Sequence, residues 1–311
     1  MVINYVTELT SGVASIRYRM LIPANHMTCE AYRGPYPVLD ADIYVFGKPL
    51  ANELKWAMMC KEFDRIVVWD VSDNHFRDNA EQGLRETYKS MLEMADYITC
   101  PTENMAKVIR EQGREATVIP DPWAYEEIEP KEISEWGDIA DTRPKLMMFG
   151  NIASMNSMRR VTKELVADGE EYKICIIGDK RYDWKGVIIN QWTPSMMEEG
   201  FKGSDLVIIP VETNDRSDVK SPNRMVDSIR QGKFVIAEPM PEYKQFSEWM
   251  YVGNIVEGMK WAKAHRAELP ERVRKAQAYV RTLFDPKDIG RKWENLFRSI
   301  LDAGKNTYRV S

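Results

Sequence analysis

The sequence predicts an α/β protein built from two doubly wound parallel sheets, and three observations predict it. Short apolar runs alternate with helical patterns along the chain, and such alternation implies parallel strands joined by right-handed crossovers. The alternation comes as two series, separated at about residues 126–143 by an acidic stretch with little helical or strand period. Residues 220–238 then read as a loop, a short helix, a glycine stop and a buried strand. Such a unit aims a helix N-terminus at whatever lies beyond the carboxyl ends of a sheet.

In the first series residues 2–6 read as a strand, and a turn at Thr10, Ser11 and Gly12 leads into a helix at 13–22. Strands follow at 42–46, 65–69, 97–100 and 116–119, with helices at 50–62, 80–94 and 104–112. Thr102 caps the last of these and Gly113 stops it. The second series has strands at 146–149, 172–177, 187–189, 205–209 and 234–237, with helices at 157–167 and from Pro194 to 201. Beyond Pro241 the pattern is helical, at 255–267, 270–283 and 286–301. The expected division is a Rossmann-like domain at 1–125, a linker at 126–144, a second Rossmann-like domain at 145–285 and a terminal helix at 286–311.

Composition narrows the class. A chain of 311 residues is long enough for two domains with proper cores. Hydrophobic content of 44% and charged content of 29% are those of a globular protein. No apolar run is long enough to span a bilayer, and residues 1–6 read as a strand rather than a signal peptide. Cys29, Cys60, Cys100 and Cys175 form no C-x-x-C pair and read as free thiols of a reducing cytoplasm, the expected location. A net charge of −5 argues against non-specific nucleic-acid binding as the main activity, while leaving room for a local basic groove. The 18 methionines read as core filling.

The 220–238 stretch carries the chemistry. Pro222 suits a first helical turn, and Gly232 sits where a left-handed cap belongs. Lys220 and Arg224 put full positive charge at a helix N-terminus, which attracts anions by itself. Asp227 falls one turn after Asn223 and Arg224 and shares their face. Cations for phosphate and a carboxylate for sugar hydroxyls are what a nucleoside-diphosphate site requires.

This stretch resembles the nucleotide-sugar site of GT-B glycosyltransferases, in particular the family with an E-x7-E motif. Asp227 stands at the motif's second glutamate, and the first falls at Val219, with Asp218 or Glu212 as substitutes. Residues 10–19 resemble the first loop and helix of that family's acceptor domain. Residues 95–104 and 118–122 resemble its end, and Phe149-Gly150-Asn151 the first glycine loop of the donor domain. The resemblance runs in order along nearly the whole chain. It implies two domains facing across a cleft, the first presenting the acceptor, the second binding the donor, and a last helix crossing back to the first. It further implies a UDP- or GDP-sugar co-substrate, no cofactor, and retention at the anomeric carbon.

Position after a strand selects the remaining candidates. On the donor side these are Gly150, Asn151, Gly178, Trp192 and Thr193, with Lys220, Ser221, Asn223, Arg224 and Asp227. Trp192 is either a platform for the base or a packed core residue. Ser11, Gly12 and Arg17 belong to the acceptor side. Asp70, Asp73 and His75 form the candidate acid/base cluster, able to take a proton from an acceptor hydroxyl. The alternative is a helix-capping loop, for which Asp73 and Asn74 are suited. Asp40-Ala-Asp42 precedes a strand and is rejected as a metal motif, so no essential metal is expected. Arg159 and Arg160 read as a solvated helix face. The basic residues of 260–281 form either such a face, with Glu268 and Glu271 interspersed, or a groove for a polyanion. That groove keeps open one alternative, that of phage-encoded enzymes that glycosylate hydroxymethylated bases in DNA, which the compact chain also resembles. A different class is a nucleotide-sugar epimerase or sensor on the same fold.

Overall fold

The computed structural model describes residues 1–77, 80–131, 144–151, 154–169, 172–184, 187–212, 214 and 216–307. Most of the linker expected at 126–144 therefore lies outside the described residues. The chain divides into two compact units: Met1–Ala124, Asp218–Ser221 and Leu283–Ser311 form unit 1, and Tyr125–Ser217 and Pro222–Thr282 form unit 2.

Unit 1 holds six parallel strands in the order β2-β1-β3-β4-β5-β6. They are β1 (Val2–Val6), β2 (Glu30–Gly34), β3 (Ile43–Phe46), β4 (Ile66–Asp70), β5 (Tyr97–Cys100) and β6 (Thr117–Val118). Side chains alternate across a strand, and each face of this sheet is covered. Tyr44, Phe46, Val67 and Trp69 pack with residues of α3 (Ala51–Glu62), α4 (Gln82–Met94) and α5 (Glu103–Glu111). Ile43, Val45 and Val68 pack on the other face against Ile16 and Met20. The same cluster takes Ile289, Trp293, Phe297 and Ile300 from the last helix of the chain, which is thus an integral part of unit 1.

The first helical run is not uniform. Short α1 (Ala14–Ile16) and α2 (Ile22–Ala24) flank a π-helical turn at Arg17–Leu21, closed by the Ile22 N–H on the Arg17 carbonyl. Pro23 has no N–H to give to the Arg19 carbonyl, and the wider turn accommodates that loss. Arg17 stays half-exposed while Arg19 is buried. Near the run's end, the Thr28 hydroxyl and N–H donate to Glu294 (2.6 and 2.8 Å). These bonds, with help from Arg298, hold the Glu294 carboxyl down at about 2.

Unit 2 holds seven strands in the order β13-β12-β11-β7-β8-β10-β9. These are β7 (Lys145–Phe149), β8 (Lys173–Gly178), β9 (Tyr182–Trp184), β10 (Val187–Gln191), β11 (Leu206–Ile209), β12 (Phe234–Ala237) and β13 (Tyr251–Val252). All pairings are parallel except β9 on β10. The helices are α6 (Met155–Ala167), α7 (Pro194–Gly203), α8 (Asn223–Arg230), α9 (Ile255–Ala264) and α10 (Leu269–Leu283), and α11 (Pro286–Thr307) completes unit 1. β7, β11 and β12 are buried runs, as strands covered on both faces should be.

Candidate functional site

In unit 2 the loops after β7, β8, β10, β11 and β12 share one edge of the sheet. Gly150 follows β7, and its N–H donates to the Ile177 carbonyl of β8 (3.1 Å). A Cβ there would lie 2.9 Å from Met158 Cε and 3.1 Å from the Ser154 side chain, so the turn is packed from below. Asn151 is exposed beside it. Gly178 ends β8 and accepts from the Trp192 N–H (2.7 Å), which fixes the half-buried Trp192 at the same edge. Thr193 caps α7 by accepting from the Met196 N–H (3.0 Å), so its hydroxyl has a structural use.

α8 starts at Asn223 behind Pro222, and the N–H groups of its first turn have no partner within the helix. Arg224 lies in that turn. Its Nη1 points at the carbonyls of Phe149 (3.4 Å) and Pro210 (3.5 Å), which end β7 and follow β11. Arg224 also faces the Tyr243 hydroxyl: burial raises that hydroxyl's pKa and Arg224 opposes the rise. The sheet thus holds one guanidinium at the carboxyl ends of two central strands. Asp227, one turn on, is 1% exposed, and half-buried Asn223 precedes it. A residue to which the sequence reading gave no role stands on the same edge. Glu238 follows β12 directly, binds Arg160 Nη2 with both oxygens (2.7 and 2.6 Å) and accepts from the Val211 N–H (2.7 Å). Arg160 is accordingly not only a solvated residue; position after a strand was the signal that would have found Glu238.

Lys220 and Ser221, expected on the donor side, belong to unit 1. Val219 lies in its core, and the Val219 carbonyl accepts from the Thr102 hydroxyl (2.9 Å). The Ser221 hydroxyl donates to Asp121 (2.5 Å), and the Lys220 ammonium pairs with Asp73. Lys48, after β3, takes the other oxygen of Asp73 at 2.7 Å. Asp70, at the end of β4, is bound by Arg19 Nη2 (2.7 Å) and Nε (3.0 Å) and by the Thr99 hydroxyl (2.7 Å). Arg19 Nη1 reaches Asp121 (3.1 Å) and the Ile119 carbonyl, and the guanidinium lies over the Trp293 ring at 5.1 Å. Burial raises the Asp121 carboxyl against the pull of Arg19. His75 is half-exposed and meets Tyr88 edge-on at 4.8 Å. The three acid/base candidates therefore have three different settings, and Asp70 sits inside an ion-pair network. Ser11 and Gly12 are exposed after β1, and Arg17 Nη1 donates to the Ser11 carbonyl (3.1 Å).

Two other expectations have a physical answer here. Burial pushes the Cys60 thiol up to about 11 and Cys100 up to about 12, so neither is a ready thiolate. In the basic stretch, Lys260 pairs with Asp168, Arg272 with Glu268, Arg274 with Glu129, Lys275 with Glu271 and Arg281 with Glu127. Among the described residues no helix is long and apolar enough to cross a membrane. No group of three or more His, Cys, Asp or Glu among them is gathered for a metal ion.

No protein-family model and no curated protein sequence matches the chain. Solved structures do. Anabaena HepE (Alr3699) in complex with UDP aligns over 96% of this chain and 99% of its own, with TM-score 0.63 and 11% identity. AviGT4, a glycosyltransferase involved in avilamycin A biosynthesis, aligns over 97% and 98%, with TM-score 0.58 and 11% identity. The fold is GT-B. A variant of S. aureus TarM, solved with fondaparinux, α-GlcNAc-glycerol and UDP, aligns over 82% of this chain with TM-score 0.57 and 14% identity. The chain spans about half of TarM's length, 55%. Both GT-B units are present, and the last helix completes unit 1 as the resemblance implied.

Proposed function

We propose that the chain is a glycosyltransferase that moves a sugar from a nucleoside-diphosphate sugar to an acceptor hydroxyl, with the nucleotide bound by unit 2. The observation that carries this reading is Arg224, a guanidinium in the first turn of α8 at the carboxyl ends of β7 and β11. A diphosphate there meets a full positive charge and a helix N-terminus together. The UDP in the HepE and TarM complexes supports uracil as the base. The leaving diphosphate gains its charge stabilisation from these groups, and activity in the presence of a chelator is the expected sign of metal independence. Asp227, nearly inaccessible, needs a side-chain movement to reach a ribose hydroxyl.

Of the three acid/base candidates, His75 is the one we assign to the acceptor proton. Asp70 and Asp73 are 3% and 1% exposed and their oxygens are taken up by Arg19, Lys48 and Lys220, whereas His75 is half-exposed. Replacing His75 by Gln is expected to slow turnover by about 10²-fold or more while leaving UDP affinity as it is. An unchanged rate would remove His75 from the chemistry.

The donor reading is tested by thermal stabilisation with UDP, GDP and their sugars, since a ligand of the native state raises the melting temperature. Arg224→Ala is expected to weaken nucleotide affinity by about 10- to 100-fold, the weight of charge-assisted hydrogen bonds. Equal shifts in the wild type and in Arg224→Ala would displace the nucleotide from α8. Consumption of the donor to an epimer with no acceptor would assign the fold to epimerisation instead. Glu268 and Glu271 lie among the basic residues of 260–281, and Glu127, Glu129 and Asp168 lie against them, so this face carries both signs rather than one positive stripe, which counts against a polyanionic DNA acceptor.

A further inference from the structure

We propose that Lys48 and Lys220 form an anion site in unit 1, and that the acceptor carries a phosphate group which binds there. The inference rests on the glycosyltransferase reading and deepens it by naming the acceptor's chemical class. Lys48 follows β3 and Asp73 follows β4, so the pair lies beyond the carboxyl ends of adjacent strands, where ligands of doubly wound sheets bind. Asp73 is 1% exposed, and a carboxylate so buried needs a cation. It has two: Lys48 on Oδ2 at 2.7 Å and Lys220 on Oδ1. The lysine side chains are themselves 34% and 36% exposed, so solvent reaches both of them while the carboxylate they share is buried.

Both lysines are placed by their neighbours before any ligand arrives. The Gly47 carbonyl, next to Lys48, accepts from Trp69 Nε1 (3.1 Å). Lys220 stands between Val219, whose carbonyl Thr102 holds, and Ser221, whose hydroxyl Asp121 holds. Placement in advance lowers the ordering cost of binding. Two ammoniums on either side of one carboxylate are set for an anion with several oxygens, and lysine binds phosphate as a point charge. The other acids of this edge, Asp70 and Asp121, face Arg19.

The test titrates inorganic phosphate into the full chain held with saturating UDP, and repeats it in Arg224→Ala, where the unit 2 route is weakened. Lys48→Met is expected to weaken phosphate binding about tenfold with UDP affinity unchanged, and Lys48→Arg to retain it. Asp73→Asn is expected to tighten phosphate binding, because it removes the competing carboxylate; a purely structural ion pair predicts no such gain. Lys220→Met is the second variant should Asp73→Asn fold poorly, and it should behave as Lys48→Met does. Phosphate that binds Lys48→Met as it binds the wild type, or that fails to bind the wild type at all, overturns the proposal. A loss of UDP binding in the wild type would instead sink the donor reading, and the phosphate titration in Arg224→Ala would still report on unit 1. A panel of sugar phosphates and the same sugars without phosphate completes the assay: donor turnover should rise only with the phosphorylated set.

Discussion

Arg19→Met is expected to destabilise unit 1 by about 3–5 kcal/mol, the cost of leaving buried charge without its partner. Arg19 is 1% exposed, and Asp70 and Asp121 are 3% and 6% exposed. One guanidinium serves both carboxylates and also reaches the Ile119 carbonyl. Removing it leaves two carboxylates to be desolvated alone, or to take up protons against their ordinary preference. Thermal unfolding followed by near-ultraviolet circular dichroism reads the loss. Adding Asp70→Asn to Arg19→Met should recover part of it, since the substitution removes one of the stranded charges. Arg19→Lys is not a mild change here, because an ammonium lacks the planar fork that bonds Asp70 through Nε and Nη2 together. A loss below about 1 kcal/mol in Arg19→Met would mean that the network contributes little beyond a surface pair.

Gly232→Ala is expected to cost unit 2 about 2–4 kcal/mol, from left-handed backbone strain and overpacking together. Gly232 has φ +67°, and a Cβ on it would stand 2.7 Å from the Ile128 carbonyl oxygen and 2.8 Å from that of Glu129. Those atoms cannot swing aside as a side-chain tip does. The Ile128 N–H donates to the Arg230 carbonyl (2.8 Å), and the Ile128 carbonyl accepts from Gln277 (2.8 Å). Gln231 donates to the Glu126 carbonyl (2.6 Å), and Glu127 pairs with both Arg230 and Arg281. The 126–131 segment must therefore lift for a methyl group to enter. Limited proteolysis should open first in that segment in Gly232→Ala, with a lower melting temperature. A variant as stable and as resistant as the wild type would show that the segment yields at no cost.

The sequence made the strands of both sheets legible wherever they are buried on two faces, as in β3, β4, β11 and β12. There an unbroken apolar run is enough. β2 was not legible: Glu30–Gly34 is an edge strand with mostly exposed side chains, and nothing in its pattern separates it from a loop. The glycine cap at Gly232 was readable because local geometry alone demands it. The destination of residues 218–221 was not, since Val219 reads as a loop residue while its side chain fills the core of unit 1. Asp70 illustrates the same limit. Its place after a buried strand marks a chemical edge, but its partner Arg19 is 51 residues away in the chain, and no local pattern announces that pair. Arg224, by contrast, was selected from a short motif, and the structure puts it at the strand ends.

Unit 1 is assembled from chain stretches that a ribosome delivers far apart in time. Its strands emerge first, yet Trp293, Phe297 and Ile300, which cover Ile43, Val45 and Val68, come only after every strand of unit 2 has been made. Until then one face of a six-stranded sheet has only the short run around Ile16 and Met20 over it, and the rest is open to non-native association. Closing so long a loop is slow as well as late. The newborn protein thus has its most fragile interval before the stretch from Pro286 to Ile300 emerges, and a chain that stops short of Pro286 never leaves it.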